Sequence, residues 1–208
     1  MIHILGQIPH KVAIAVSGGI DSMAALDFLN RSREVVALYY NHGTEHADDA
    51  EAVVRKYCKE HNVPLLVDRV SDDMPPGVSK EAWWREQRYA FFEEMTASRL
   101  RLFGNMPIIT CHHLDDAVEN WIFTCMHGNP MLIPYTRGNY IRPFLITRKS
   151  DFVDWCARKH VPFIQDPTNA DIAFRRNYIR HRIVEHAMMI NPGIHKTIKK
   201  KIIGENRE

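Results

Sequence analysis

The stretch Val12-Ala13-Ile14-Ala15-Val16-Ser17-Gly18-Gly19-Ile20-Asp21-Ser22 limits the possible folds more than any other part of the chain. It opens as a short apolar run rich in β-branched residues, the pattern of a strand buried on both faces of a parallel sheet. It breaks at Ser17-Gly18-Gly19 and resumes as Asp21 to Leu29, a good helix sequence. A buried strand, a glycine turn and a helix start make an anion site. The first-turn N–H groups point at the gap, and the helix dipole adds partial positive charge there. Two glycines let a phosphate approach the backbone without a Cβ in the way. The bland alternative is an ordinary strand-to-helix turn with Asp21 or Ser22 as N-cap. No Gly-Lys-Ser/Thr follows, and there is no Gly-x-Gly-x-x-Gly, so two common nucleotide loops are excluded.

Ser-Gly-Gly-Ile-Asp-Ser at 17–22 resembles the pyrophosphate-binding loop of the PP-loop ATPases, the N-type ATP pyrophosphatases. That resemblance implies that Ser17, Gly18, Gly19, Ile20, Asp21 and Ser22 hold the phosphates of ATP and that chemistry occurs at the α-phosphate. Asp21 is informative within it. A carboxylate among phosphates repels them unless a cation sits between, so Asp21 implies Mg²⁺.

The rest of the chain reads as alternating strands and helices. Val35 to Tyr40 is a second buried strand, ending at Asn41-His42-Gly43. Asp48 to Asn62 has helical spacing, Pro64 to Val70 is a third strand, and Ser71 to Gly77 is a loop. Pro107 to Cys111 is a fourth strand, and Tyr140 to Leu145 a last one. This alternation predicts an α/β fold with a doubly wound, mainly parallel sheet of about five strands, Rossmann-like, whose ligands bind beyond the carboxyl ends of the strands. Ser17-Gly18-Gly19 and Asn41-His42-Gly43 both fall at such ends; His42 is equally well a pocket wall or a surface loop residue. We expect a nucleotide-binding domain over 1–145 and a small helical, basic extension over 146–208. Lys80 to about Leu100 is a long helix with Glu81, Arg85 and Arg88 on one face, either a solvated pair or arginines for a phosphate or RNA backbone.

The segment His112-His113-Leu114-Asp115-Asp116-Ala117-Val118-Glu119 opens a helix with the apolar stripe Val118, Trp121, Ile122 and Cys125. Asp116 as N-cap with Glu119 three residues on accounts for one aspartate and the glutamate. It does not account for two histidines before two acids at a strand end, whereas a second Mg²⁺-handling group does. Met126 to Asn139 reads as irregular, Thr147 to His160 as a helix, 163–171 as a polar loop and Phe174 to Met189 as a helix. The tail from His195 to Lys201 is a basic amphipathic piece open to fraying. Net charge is only +2, so bulk charge announces no polyanion, but the chain from Arg175 onward is strongly basic. The cysteines, at 58, 111, 125 and 156, form no Cys-x-x-Cys and sit mostly in apolar contexts, which suits buried thiols in a reducing cytosol. No apolar run approaches membrane length and no signal peptide is expected, so the chain reads as cytoplasmic with no membrane partner.

Further motifs, in order, sharpen the resemblance. These are Glu81-Ala82-x-x-Arg85-x-x-Arg88-Tyr89, His112-His113-Leu114-Asp115-Asp116-x-x-Glu119, Ile141-Arg142-Pro143, and Asp166-Pro167-Thr168-Asn169 followed by Arg176-Asn177-x-x-Arg180. Together they are similar to the catalytic domain of the tRNA(Ile)-lysidine synthases. The resemblance implies a two-step ligation. The carbonyl oxygen of a wobble cytidine attacks the α-phosphate of ATP and expels pyrophosphate; the ε-amine of free lysine then displaces AMP. It implies Asp21, Asp115, Asp116, Glu119, His113 and Arg85 as catalytic residues, with Asp21 and Asp116 as metal ligands. Asp115, Glu119 and His113 are the unranked candidates for holding or deprotonating lysine. Phosphates fall to 17–22 and the base to the neighbourhood of His42. Contacts to the tRNA anticodon loop fall to Arg88, Arg142, Arg176, Arg180 and Arg182.

Two departures bear on the substrate. Members of that family continue into C-terminal domains that help hold tRNA, whereas this chain stops soon after the Arg-Asn helix. tRNA selection is therefore expected to draw on a homodimer, a partner or a simpler substrate. Met126-His127-Gly128-Asn129-Pro130 stands where an Arg-Gly-rich loop is usual, and Asn120 where threonine is usual. The alternatives are a tRNA-thiolating relative, which normally needs paired cysteines, and a catalytically idle nucleotide- or tRNA-binding module.

Overall fold

The computed structural model describes residues 1–70, 74–98, 106–165, 172 and 175–206, with backbone alone at 81 and 96–98. The Asp166-Pro167-Thr168-Asn169 motif lies outside the described residues, as does the side chain of Glu81. The chain forms two compact units. One is Pro9–Ile109 with His160–Ile164; the other is Met1–Ile8 with Thr110–Lys159 and Gln165–Glu208.

The first unit is the parallel sheet. Strands β1 (Lys11–Val16), β2 (Glu34–Asn41), β3 (Leu65–Arg69) and β4 (Ile108–Ile109) lie in the order β3-β2-β1-β4. Every pair is parallel: Ala13 faces Val36 on β2 and Ile108 on β4, and Leu38 faces Leu66. The chain steps outward from β1 to β3, then returns to the far side of β1 as β4. The strand order reverses at β1, and ligands of open parallel sheets bind at such a switch point, beyond the carboxyl ends. The crossovers are α1 (Ile20–Asn30), α2 (Ala47–Glu60) and α3 (Lys80–Ser98). Right-handed crossovers running in opposite directions along the sheet put α3 on the face opposite α1 and α2. β2, buried from Val35 to Asn41, has both faces covered accordingly. This is the expected doubly wound α/β fold.

The second unit is mainly helical: α4 (Leu114–Met126), α5 (Lys149–Lys159), α6 (Arg175–Tyr178), a π-helical turn over Ile179–Ile183, α7 (Val184–Ile190) and α8 (Ile194–Glu205). Its core joins Leu114, Ala117 and Val118 of α4 to Ile198 and Ile202 of α8, with Leu5 and Leu145. The expected strand over 140–145 is only β6 (Tyr140–Ile141), paired antiparallel with β5 (Thr136–Arg137) inside the stretch read as irregular. Pro143 has no N–H to continue a ladder, and its carbonyl accepts from Leu5 N at 2.8 Å. The tail is ordered, not frayed. His195, Ile198 and Ile202 recur on one face of α8 and are all buried. The helix expected over 174–189 is broken by the π turn, and a one-residue widening of this kind re-aims the side chains it carries.

Candidate active site

The loop after β1 is built on Gly18 and Ser22. Gly18 has φ +78°. A Cβ there would lie 3.0 Å from Ala50 Cβ and 3.2 Å from Ala50 O, so only glycine fits. Its carbonyl accepts from Ile164 N at 2.9 Å, which ties the loop to the returning segment 160–164. Ser22 Oγ, buried, accepts from Ser17 N at 3.1 Å and donates to Gly19 O at 2.9 Å. Ser17 Oγ lies 3.2 Å from it and accepts from Gly19 N at 3.4 Å. The N-cap of α1 is Gly19, without a side-chain cap, so neither Asp21 nor Ser22 caps the helix. Asp21 sits in the first turn. The result is a tight, Cβ-free loop at the positive end of a helix, the chemistry of a phosphate cradle. A single first-turn carboxylate fits Mg²⁺, which takes one or two protein carboxylates and fills its shell with phosphate and water oxygens. Among the described residues no three His, Cys, Asp or Glu side chains gather as a metal cage.

At the end of β2, the fully buried Asn41 accepts from Gly43 N at 2.8 Å and donates to Asp48 Oδ1 at 2.9 Å and Glu51 Oε2 at 2.7 Å. This clamp sets the turn that carries His42. The imidazole of His42 packs edge-on to Tyr40 at 5.1 Å and against Trp84 at 5.4 Å between ring centroids. Its Nε2 lies 3.5 Å from Arg88 Nη1. Burial, then the Arg88 charge, pushes its pKa down to about 4, so the ring is neutral at pH 7. His42 is therefore partly buried and packed on two rings, not a loose surface residue. Arg85 is exposed, its guanidinium 5.0 Å from the Tyr89 ring.

The acids of the second unit divide their work. His113, not Asp116, is the N-cap of α4. Its Nδ1 accepts from Asp116 N at 3.2 Å, and Asp116 Oδ2 accepts from His113 N at 3.0 Å, a reciprocal capping box. Asp115 is held on the scaffold. Its Oδ2 accepts from Lys149 N at 2.8 Å, and His195 Nε2 of α8 lies 3.2 Å from Oδ1. Arg148 Nε lies 3.5 Å from Oδ2. Burial opposes ionisation, but the His195 and Lys149 hydrogen bonds and the nearby cations outweigh it and hold the Asp115 carboxyl well below the usual range. Glu119 is only 4% exposed. Its Oε2 accepts from Arg180 Nε at 2.9 Å, while Arg180 Nη2 reaches Asp116 Oδ1 at 3.1 Å. Burial pushes Glu119 up, and Arg180 only partly offsets it. His112, its Nδ1 3.1 Å from Thr110 Oγ1, is pushed down to about 4 chiefly by burial.

A family model for the PP-loop domain matches residues 4–187. The chain belongs to the PP-loop family. A tRNA(Ile)-lysidine synthase of Lactiplantibacillus plantarum is 31% identical to it over 201 residues, covering 90% of this chain and 44% of that protein. One of Francisella philomiragia is 30% identical over 217 residues, covering 98% and 52%. The chain thus spans about half the length of these curated relatives. The U34-tRNA thiolase of Methanococcus maripaludis, solved with its [4Fe-4S] cluster, shares the fold with a TM-score of 0.69 at 14% identity, covering 97% of this chain and 74% of that one.

Within this PP-loop chain the arginines read as RNA contacts have different settings. Arg176 and Arg182 are exposed. Arg142 is 6% exposed and donates to Pro134 O at 2.8 Å, and Arg180 is bound to the two acids. Cys58 and Cys156 are buried, but Cys111 is only partly so, and Cys125 is exposed at the end of α4 rather than within its stripe. His195 and Arg148 are the residues that sequence reasoning missed. The spacing of His195, Ile198 and Ile202 was the signal, since it marks a buried helix face. Among the described residues no helix is long and apolar enough to cross a membrane.

Proposed function

We propose that this chain carries out ATP-dependent ligation of lysine to the wobble cytidine of a tRNA with a CAU anticodon, through an adenylated cytidine, in the cytoplasm. The observation that carries this reading is the pair Asp116–Glu119, a half-buried and a buried carboxylate that together hold one cation, Arg180. A site that binds a guanidinium by two carboxylates has the chemistry to bind an ammonium. The relatives, named tRNA(Ile)-lysidine synthases, supply the substrate class. On this reading Ser17 to Ser22 hold the triphosphate. Asp21 would hold Mg²⁺, as would Asp116, and the ion would supply the positive charge that neutralises the α-phosphate and the leaving pyrophosphate. Glu119, whose pKa burial raises, is the residue best placed to hold the ammonium or accept its proton. Asp115 and His113 position the helix that carries it. Arg85, on the exposed face of α3, contributes positive charge toward phosphate, and Arg176 and Arg182 meet the tRNA backbone.

Thiolation is the competing reading. The cysteines give it no support: Cys58 is buried and its thiol is pushed up to about 11, the opposite of what a sulfur carrier requires. The test is purified protein with ATP, a CAU-anticodon tRNA and either labelled lysine or a sulfur donor. Label from lysine should enter the tRNA with release of AMP and pyrophosphate. Thiolated nucleoside instead, or no incorporation with any CAU tRNA, would overturn the proposal.

A further inference from the structure

The end of β2 holds a buried ring nitrogen that no described residue satisfies. Nδ1 of His42 is buried and has no hydrogen-bond partner among the described residues. The ring cannot turn freely to find one. Tyr40 and Trp84 flank it, and the Asn41 clamp fixes the turn on which it sits. On its other side stands Arg88, whose guanidinium can only donate. Among the described residues Arg88 makes no ion pair, and its guanidinium lies 5.9 Å from the Tyr89 ring. A cation facing Nε2 favours a lone pair there. In a neutral ring the proton then resides on Nδ1, the tautomer that imidazole in water disfavours. A buried N–H without an acceptor carries a desolvation cost, which an acceptor atom brought by a ligand would offset.

We propose that Arg88 is a positioning residue that holds His42 as its neutral Nδ1–H tautomer, and that this N–H donates to an acceptor atom of the bound nucleotide. The inference rests on the ATP reading above for the identity of the ligand, but not for the tautomer. It also gives Arg88, taken from sequence as an RNA contact, a different duty.

The test has two arms that fail separately. In the first, isotope-labelled histidine is introduced and two-bond proton–nitrogen spectra are recorded without ligand at pH 7, with His42→Gln identifying the resonance. His42 should show a protonated Nδ1 and a bare Nε2, and Arg88→Met should move the proton toward Nε2. A protonated Nε2 in the wild type, a cationic ring, or spectra unchanged by Arg88→Met would overturn the tautomer assignment. In the second, ATP is titrated calorimetrically without tRNA. His42→Phe, which keeps a ring between Tyr40 and Trp84, should weaken ATP by about fivefold to tenfold, the worth of one neutral hydrogen bond. Arg88→Met should do the same alone and add little in the His42→Phe background. Independent, multiplying losses would make Arg88 a direct ligand and overturn its positioning role. Unchanged ATP affinity in both variants would return Arg88 to the RNA. Wild-type protein that binds no ATP would sink the ATP reading and the nucleotide half of this inference, while the ligand-free spectra still decide the tautomer.

Discussion

Replacing Arg180 with methionine tests whether the acid pair is built around a cation. The side chain of Glu119 is 5% exposed, that of Asp116 21% and that of Arg180 34%. Arg180→Met leaves a buried carboxylate beside a second carboxylate. Removing one member of a buried pair costs about 3–5 kcal/mol. Arg180 is one-third exposed, so water can follow it out and relieve part of this, and about 2–3 kcal/mol remains. For a chain of this size that lowers the melting temperature by about 4–12 °C. Glu119→Gln keeps an oxygen acceptor for Arg180 without the charge and should cost only about 1 kcal/mol. The double variant removes the buried Glu119 charge, so it should be no less stable than Arg180→Met alone. The pH dependence has a definite sign. Without Arg180, the pKa of Glu119 rises further above its unfolded value. The folded state then binds more protons than the unfolded state, and stability falls as pH rises through that window. The deficit of Arg180→Met should therefore be larger at pH 8 than at pH 5. Thermal and urea unfolding across that range are the assay. A variant within about 0.5 kcal/mol of wild type, strictly additive losses, or a deficit that shrinks with rising pH would refute the reasoning.

Other outcomes follow from the same geometry. Asp21→Ala should abolish pyrophosphate release from ATP while leaving the melting temperature nearly unchanged; normal release would remove Asp21 from the metal. Gly18→Ala must place a Cβ against Ala50 at φ +78° and should cost about 2 kcal/mol or more, seen in unfolding and in lost ATP binding; a neutral effect would contradict the loop geometry. Arg176→Glu with Arg182→Glu should lower the salt slope of tRNA binding by roughly one unit per phosphate contact and spare ATP affinity; an unchanged slope would make both residues mere solvated charges. His42 and His112 are pushed from the ordinary 6.5 to about 4. The unfolded chain thus binds more protons between those values, and stability should fall as pH drops from about 6.5 toward 4. His42→Phe and His112→Asn should each flatten that fall, and equal slopes in all variants would rule the histidines out.

The sheet was legible because its signals are local and redundant. Val12 to Val16 and Val35 to Tyr40 are apolar runs too short for helices, each closed by glycine, and only a doubly buried strand suits them. Gly18 could be read as a special position because a phosphate loop and a positive φ demand the same residue. The short hairpin was not legible. Thr136 and Arg137 carry no alternation, and Gly138, at φ +57°, looked like a plain turn. The last strand was overread because Ile141, Phe144 and Leu145 are all buried, though Pro143 turns the chain between them. Burial alone does not distinguish a strand from a packed turn.

The acids show where sequence reasoning stops and why. Asp115, Asp116 and Glu119 look interchangeable within one helical turn. What separates them is contributed from far along the chain. His195 lies 80 residues from Asp115, Arg180 lies 61 from Glu119, and the Lys149 amide lies 34 from Asp115. No periodicity in 112–120 encodes those partners. Asp115, bound by an amide, an imidazole and a guanidinium, has little capacity left for a substrate. Asp116 spends one oxygen on its own helix cap and keeps the other for a cation. Glu119 spends nothing on the backbone among its described hydrogen bonds, and the cation hydrogen-bonded to it, Arg180, is a side chain. On the proposed reading, a lysine ammonium entering this pair would have to displace Arg180, and the affinity for lysine would then be set by the difference between two cation–carboxylate interactions rather than by either one.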